Sequence, residues 1–181
     1  VKIKNKEILD TDKPFIVISN HQSYLDVVVI ITYIRMTAFL AKKELFKIPI
    51  FGTSLRMAGV LEVDRKNPRA NRDLGDRMFA KLNEGYFYGA FPEGTRSRDG
   101  SLLEFKKGIF HYCTKANIPI LPVTFVNAGQ RLPRKKMEIH PGDLNIVLHP
   151  IITTEEVAEM NSNQLKDRVH GIIESGLSQV I

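Results

Sequence analysis

Short runs rich in β-branched residues alternate with helical patterns of roughly 10–15 residues along most of this 181-residue chain. That alternation restricts the fold more than any other feature. Each strand must bury its apolar side chains, and the intervening helices supply the cover. The expected fold class is therefore α/β, with a mostly parallel central sheet covered by helices. Apolar residues at 43% and charged residues at 25% are ordinary globular values, so a disordered, collagen-like or coiled-coil chain is excluded. The length suits one domain spanning residues 1–181.

Residues 15–19 follow Pro14 as a short apolar run rich in β-branched residues and read as a buried strand. A polar turn, Asn20-His21-Gln22-Ser23, leads into residues 25–33, whose length and polar approach favour a helix. Strands are expected at 37–41 and 60–63, with a helical stretch over 44–57 broken near Pro49 and Gly52. Leu74, Met78 and Leu82 recur at helical spacing in residues 69–82, and Gly85 ends that helix. A strand at 86–91, a helix at 108–116 and a strand at 118–125 follow. Pro119 and Pro122 mark that last strand as an edge strand or one with an irregular start. Short strands at 137–140 and 144–148 and a helix at 163–180 complete the pattern.

The formal charge of +6 is uneven. Eight Lys or Arg face three acids between residues 40 and 72, whereas residues 155–181 carry two bases and five acids. A basic band fits an anionic partner such as phosphate, nucleic acid or anionic lipid, or else a solvated face. Cys113 is the only cysteine, which rules out an internal disulfide, and within an apolar helix it reads as a small buried hydrophobe. The longest apolar run begins at Val27 and falls well short of the ~20 residues a spanning helix needs. The chain starts at Val1 rather than Met, so a membrane anchor upstream is compatible with it.

No G-x-S-x-G elbow, H-E-x-x-H helix, Walker loop or G-x-G-x-x-G is present. Four other segments carry chemistry. The first pairs His21 with Asp26. Residues five apart on an undisturbed helix point about 140° from one another, so the two side chains meet only if His21 lies in the turn and Asp26 in the first helical turn. A carboxylate on one imidazole nitrogen fixes the tautomer and frees the other nitrogen as a general base. The plainer reading makes His21 a structural hydrogen-bonder and Asp26 a favourable charge at a helix start. The second segment is Phe91-Pro92-Glu93-Gly94-Thr95-Arg96-Ser97-Arg98. Here Gly94 permits positive φ and Arg96 offers a fork that suits phosphate, unless Glu93 and Arg96 merely pair. The third, residues 59–65, delivers Arg65 at a strand end, a second phosphate candidate or a partner of Asp64. The fourth, Ile118-Pro119-Ile120-Leu121-Pro122-Val123, reads mainly as core packing.

Taken in order, these four blocks resemble the glycerolipid acyltransferase family, closest to its 1-acyl-sn-glycerol-3-phosphate acyltransferase branch. The resemblance covers roughly residues 14–126, with Ala41-Lys42-Lys43-Glu44 and Phe105-Lys106-Lys107-Gly108 adding to it. One departure is Glu62, where the family commonly has an aromatic or apolar residue. The resemblance implies an α/β domain at the cytoplasmic face of a cell membrane, peripheral or anchored by helices that would precede Val1. It implies transfer of a fatty acyl group from acyl-CoA or an acyl carrier protein thioester. The acceptor would be the sn-2 hydroxyl of lysophosphatidic acid, giving phosphatidic acid without a metal or cofactor. His21 would act as base and Asp26 would orient it. Arg96 would hold the acceptor phosphate with Lys42 and Arg65 assisting, while Glu93 with the flanking Gly94 and Thr95 would hold a glycerol hydroxyl or fix Arg96. Glycerol 3-phosphate or another lysolipid is the alternative acceptor. A non-catalytic lipid-binding protein is a third reading, and a nucleic-acid-binding module is disfavoured because no such motif occurs.

Overall fold

The run at 15–19 is apolar up to Ser19, and the chain buries it from both sides. In the computed structural model, which describes residues 1–34, 37–64, 66–133 and 138–179, Ile16, Val17 and Ile18 are fully buried. They form strand β2 (Ile16–Ser19) at the centre of a sheet that also contains β1 (Lys2–Lys4), β3 (Thr37–Lys42), β4 (Leu61–Val63), β5 (Phe87–Ala90), β6 (Ile120–Phe125) and β7 (Asn145–Leu148). The strand order is β1-β7-β6-β2-β5-β3-β4. Strands β6, β2, β5, β3 and β4 are all mutually parallel. Among the named strands of the described residues, β6 and β7 form the one antiparallel pair. The expected mostly parallel α/β sheet is what the chain forms.

Side-chain alternation sends Ile16, Ile18, Tyr88 and Ile120 to one face. There they meet α3 (Leu74–Asn83), α4 (Gly108–Lys115) and α7 (Ser162–Leu177) through Met78, Phe110, Cys113, Val169 and Ile173. Val17, Phe87, Leu121, Val123 and Phe125 point the other way, onto Val29 and Ile30 of α1 (Tyr24–Tyr33). Each large side chain so buried stabilises the fold by roughly 1.5–3 kcal/mol before entropy is counted. Cys113 is fully enclosed, and burial pushes its thiol up to about 12.

The break expected near Pro49 and Gly52 separates a 3-10 helix (Lys43–Lys47) from α2 (Phe51–Met57). The helix expected at 69–82 starts as a 3-10 turn (Pro68–Asn71) before α3. Short helices α5 (Ala128–Arg131) and α6 (Thr154–Ala158), edge strand β1 and a 3-10 turn (Lys6–Leu9) lacked a readable period. Of the strand expected at 137–140, residues 138–140 are not strand and Met137 lies outside the described residues.

Strand β6 corrects the edge expectation for Pro122. The strand is internal, flanked by β2 and β7. Val123 pairs with Leu148, but Ile120 bridges Ile152. The partner strand therefore gains one residue across this step, which is a bulge. Pro122 sits there, and its carbonyl accepts the His149 N–H at 3.1 Å. The missing N–H falls where the ladder is already interrupted, so an internal strand tolerates the proline.

Parallel pairing of Ile18 with Ala90 brings the carboxyl ends of β2 and β5 together at one edge of the sheet. Ligand sites in such sheets form at that edge.

Candidate active site

Strand β2 ends at Ser19, and the next residue extends its pairing with a side chain. Asn20 donates from Nδ2 to the Phe125 carbonyl and accepts the Phe125 N–H at Oδ1, each at 2.8 Å. The chain then turns, and Ser23 caps α1, accepting the Leu25 N–H at 3.2 Å. Its Oγ also donates to the Leu132 carbonyl at 2.8 Å. Ser23 is thus a fully buried structural hydroxyl.

Asp26 is the third residue of α1 and completes a capping box with Ser23. Its Oδ2 accepts three donors at once: Gln22 N–H at 2.7 Å, Ser23 N–H at 2.8 Å and His21 Nδ1 at 2.8 Å. The turn-plus-helix geometry demanded by the five-residue spacing is present. Asp26 is fully buried, while the His21 side chain keeps 16% exposure. An acceptor-only carboxylate on Nδ1 sets that nitrogen as the N–H and leaves Nε2 with its lone pair. The ring is also held flat. It stacks on Phe91 at 4.0 Å between centroids, and Phe91 stacks on Phe39 of β3 at 5.6 Å.

Strand β5 delivers the second wall. Pro92 occupies the second position of a tight turn closed by Gly94 N–H to Phe91 C=O at 3.0 Å. Gly94 has φ +72°, the left-handed region that glycine enters freely. Its N–H is engaged within the turn, so its role here is shape. The turn clasps His21 through the backbone: Ser97 N–H donates to the His21 carbonyl at 2.8 Å, and His21 N–H donates to Glu93 Oε1 at 2.8 Å. Burial, ahead of every other effect, pushes the Glu93 carboxyl up to about 7, with the nearby Asp26 charge adding to it. Glu93 Oε2 and Asp26 Oδ1 are both buried without hydrogen-bond partners among the described residues. Glu93 is 3% exposed and faces the His21 backbone. Thr95 lies exposed on the turn.

Arg96 stands over the ring of Tyr24, 3.9 Å from its centroid. Tyr24 is three residues from His21, and Ser97, next to Arg96, bonds the His21 carbonyl, so the two turns that carry Arg96 and His21 form one rim. Lys42, exposed, ends β3, whose neighbour in the sheet is β5. Its neighbour Lys43 forms an ion pair with Asp64. That pairing is the chief cause holding the Asp64 carboxyl below the usual carboxylate range, and it raises the Lys43 ammonium. Asp64 also accepts the N–H groups of Lys66 and Asn67 at 2.9 and 3.0 Å. Arg65 itself lies outside the described residues. Glu62 is exposed, and its charge adds slightly to the raising of the Lys43 ammonium.

Two residues of the site were not singled out from sequence. Gln22 is buried, donating to the Gly100 carbonyl at 3.1 Å and accepting the Gly129 N–H at 3.2 Å. Phe91, though inside a noted segment, had no role until its ring was found under His21. A polar residue between His and Ser in a tight turn was the only signal for Gln22, and its partners are 78 and 107 residues away.

The arrangement is an oriented imidazole with one free nitrogen, beside a guanidinium and at the edge of a parallel sheet. Such a pair can take a proton from a hydroxyl held near Arg96 and return it to a leaving group.

Comparison with known proteins bears on this geometry. The chain is 35% identical over 140 residues to the chloroplastic 1-acyl-sn-glycerol-3-phosphate acyltransferase BAT2 of Brassica napus, covering 77% of this chain and 41% of that protein. It is 29% identical over 171 residues to the human 1-acyl-sn-glycerol-3-phosphate acyltransferase alpha, covering 93% and 60%. The chain thus spans about half the length of the curated relatives it matches. The crystal structure of PlsC, the 1-acyl-sn-glycerophosphate acyltransferase of Thermotoga maritima, superimposes with a TM-score of 0.80 at 28% identity, covering 99% of this chain and 73% of that one. A family model described as Acyltransferase matches residues 1–126, a span that holds both turns and the whole His21–Asp26 arrangement. The chain belongs to the Acyltransferase family.

Proposed function

We propose that this chain is the catalytic domain of a 1-acyl-sn-glycerol-3-phosphate acyltransferase and moves a fatty acyl group from a thioester to the sn-2 hydroxyl of lysophosphatidic acid. The observation that carries this reading is the 2.8 Å contact of His21 Nδ1 with a buried Asp26, with Arg96 on the same rim. The names of the relatives at 29–35% identity support the acceptor.

The chemistry balances without a protein nucleophile. His21 Nε2 removes the proton from the acceptor hydroxyl as its oxygen attacks the thioester carbonyl. Asp26 stabilises the imidazolium that results. The tetrahedral intermediate collapses, the carbon–sulfur bond breaks, and the departing thiolate takes the proton back from His21. An ester and a free thiol are the products. Arg96, assisted by Lys42 and Arg65, holds the acceptor phosphate. Glu93 positions the His21 backbone. The donor is an acyl-CoA or acyl carrier protein thioester.

The working location is the cytoplasmic face of a membrane. Among the described residues no helix is long and apolar enough to cross one. What supports surface contact is the basic band of residues 40–72. Large apolar side chains stand exposed as well, among them Val28 and Ile31 on α1 and Ile50, Phe51 and Met57 around α2.

The deciding experiment supplies lysophosphatidic acid and glycerol 3-phosphate in parallel, with either thioester, to the wild type and His21→Ala. Phosphatidic acid from the wild type alone is the expected result. Equal product from His21→Ala would overturn the mechanism, and product from glycerol 3-phosphate alone would replace the acceptor.

A further inference from the structure

A cleft of about 640 Å³ opens between the Pro68–Asn71 turn and α4, lined by Arg69, Arg72, Lys107, His111, Tyr112 and Lys115 among others. None of His21, Asp26 or Arg96 lines it. Its charge is unbalanced. Lys115 is held by Asp76 at 2.9 Å, but the side chains of Arg69, Arg72 and Lys107 have no hydrogen bond or ion pair among the described residues. All three are exposed. Unpaired cations of like sign around a concavity repel one another, and an anion relieves that repulsion. Its volume lies within the roughly 300–1,000 Å³ typical of small-molecule sites. Two rings, His111 and Tyr112, stand 5.8 Å apart on the same wall.

Two connections link the cleft to the carboxyl edge of the sheet, one along the chain and one through hydrogen bonds. On one wall, Lys107 follows Lys106, whose N–H donates to the Pro92 carbonyl at 3.0 Å and whose side chain packs on Gly94. On the other, Asn71 holds Asp64 at the end of β4 by two hydrogen bonds of 2.9 Å. The Lys107 end of the cleft is therefore one residue from a contact with the turn that clasps His21.

We propose that this cleft binds the phosphate-bearing adenosine end of a coenzyme A thioester donor, an inference that rests on the acyl-transfer reading above. Arg69, Arg72 and Lys107 meet the phosphates, and the His111 and Tyr112 rings offer a face to the base. The thiol arm then runs toward His21.

The test is calorimetric titration of the full 181-residue chain with coenzyme A as the free thiol, and with pantetheine, which has the same arm without phosphates. The Arg69→Glu, Arg72→Glu double variant is expected to weaken coenzyme A at least tenfold and leave pantetheine unchanged. Lys13→Glu makes the same kind of charge change at the opposite end of the sheet and is expected to shift affinity less than twofold. If the double Glu variant melts, the Arg69→Gln, Arg72→Gln pair takes its place, with an expected loss of about threefold or more. Equal coenzyme A affinity in wild type and double variant overturns the proposal. So does failure of coenzyme A to bind the wild type, or its displacement by an equal concentration of inorganic phosphate. Acyl transfer is assayed separately. Cleft-dependent binding without transfer to any lysolipid removes the function and keeps the site. Transfer from acyl-CoA with an unchanged donor KM in the double variant keeps the function and removes the site.

Discussion

Among the described residues three helices begin with the same local device, yet only one stands at the candidate site. Helix α6 is capped by Thr153 with Glu156, and α7 by Asn161 with Gln164. Helix α1 is capped by Ser23 with Asp26. In each, the residue three positions into the helix reaches back to the capping residue's N–H. The α6 and α7 caps lie at the surface, where their side chains satisfy helix amides and Glu156 also pairs with Arg168. At α1 the carboxylate is fully buried and carries two further donors, the Gln22 amide and the His21 ring. Burial makes the difference. Water would solvate a carboxylate at the surface and weaken its hold on an imidazole, whereas a dry carboxylate binds its donors strongly and fixes them in place.

This comparison can be broken most directly at the imidazole. His21→Ala should lower kcat by about 10²–10⁴ while α1 stays capped, as circular dichroism would record. Asp26→Asn comes next and should separate the α1 cap from the other two. It should lose both turnover, by a similar factor, and stability, by about 1–3 kcal/mol, because three donors then face a neutral oxygen. A stability loss with normal turnover would reduce Asp26 to a cap. Arg96→Ala should raise the KM for lysophosphatidic acid by roughly tenfold to a hundredfold with a smaller change in kcat, since a charged hydrogen bond contributes about 1.5–3 kcal/mol. A fall in kcat alone would mean that Arg96 acts in the transition state.

Glu93 gives a pH test. Its carboxyl sits at about 7 in the folded chain against an ordinary 4.5. The folded state therefore holds its proton more tightly. The stability this provides is fully present below pH 4.5 and is lost as the pH rises through about 7. Glu93→Gln keeps an acceptor for the His21 N–H but cannot titrate. Its melting temperature should fall less than that of the wild type between those limits, and the two curves should part by an amount on the order of 1–3 kcal/mol. Identical pH profiles would mean that burial at Glu93 does not act as argued. The smallest expected effect is Thr153→Ala, at about 1 kcal/mol with kcat unchanged. An effect of that substitution on turnover would erase the contrast between the caps.

Much of the site was legible because its residues are local. Five positions separate His21 from Asp26, and the strand–turn–helix pattern around them predicts the meeting that is found. The second turn was equally readable, since Pro92 and Gly94 dictate a tight reversal. The hydrogen bond that Glu93 makes was not, because its donor is a backbone amide 72 residues away. Pro122 of β6 misled for the same reason. A proline's missing donor matters only against its neighbour, and that neighbour, β7, lies across a bulge formed by residues near 150.

By itself the sequence determined the alternation of strands and helices, the parallel sheet and the His–Asp pair, because each follows from residue periodicity and short-range geometry. Tertiary structure alone decided the strand order, the burial that turns a helix cap into an orienting carboxylate, and the walls of the basic cleft. Those depend on side chains tens of residues apart being brought together, and pairings of that range are fixed by the packed core rather than by any local pattern.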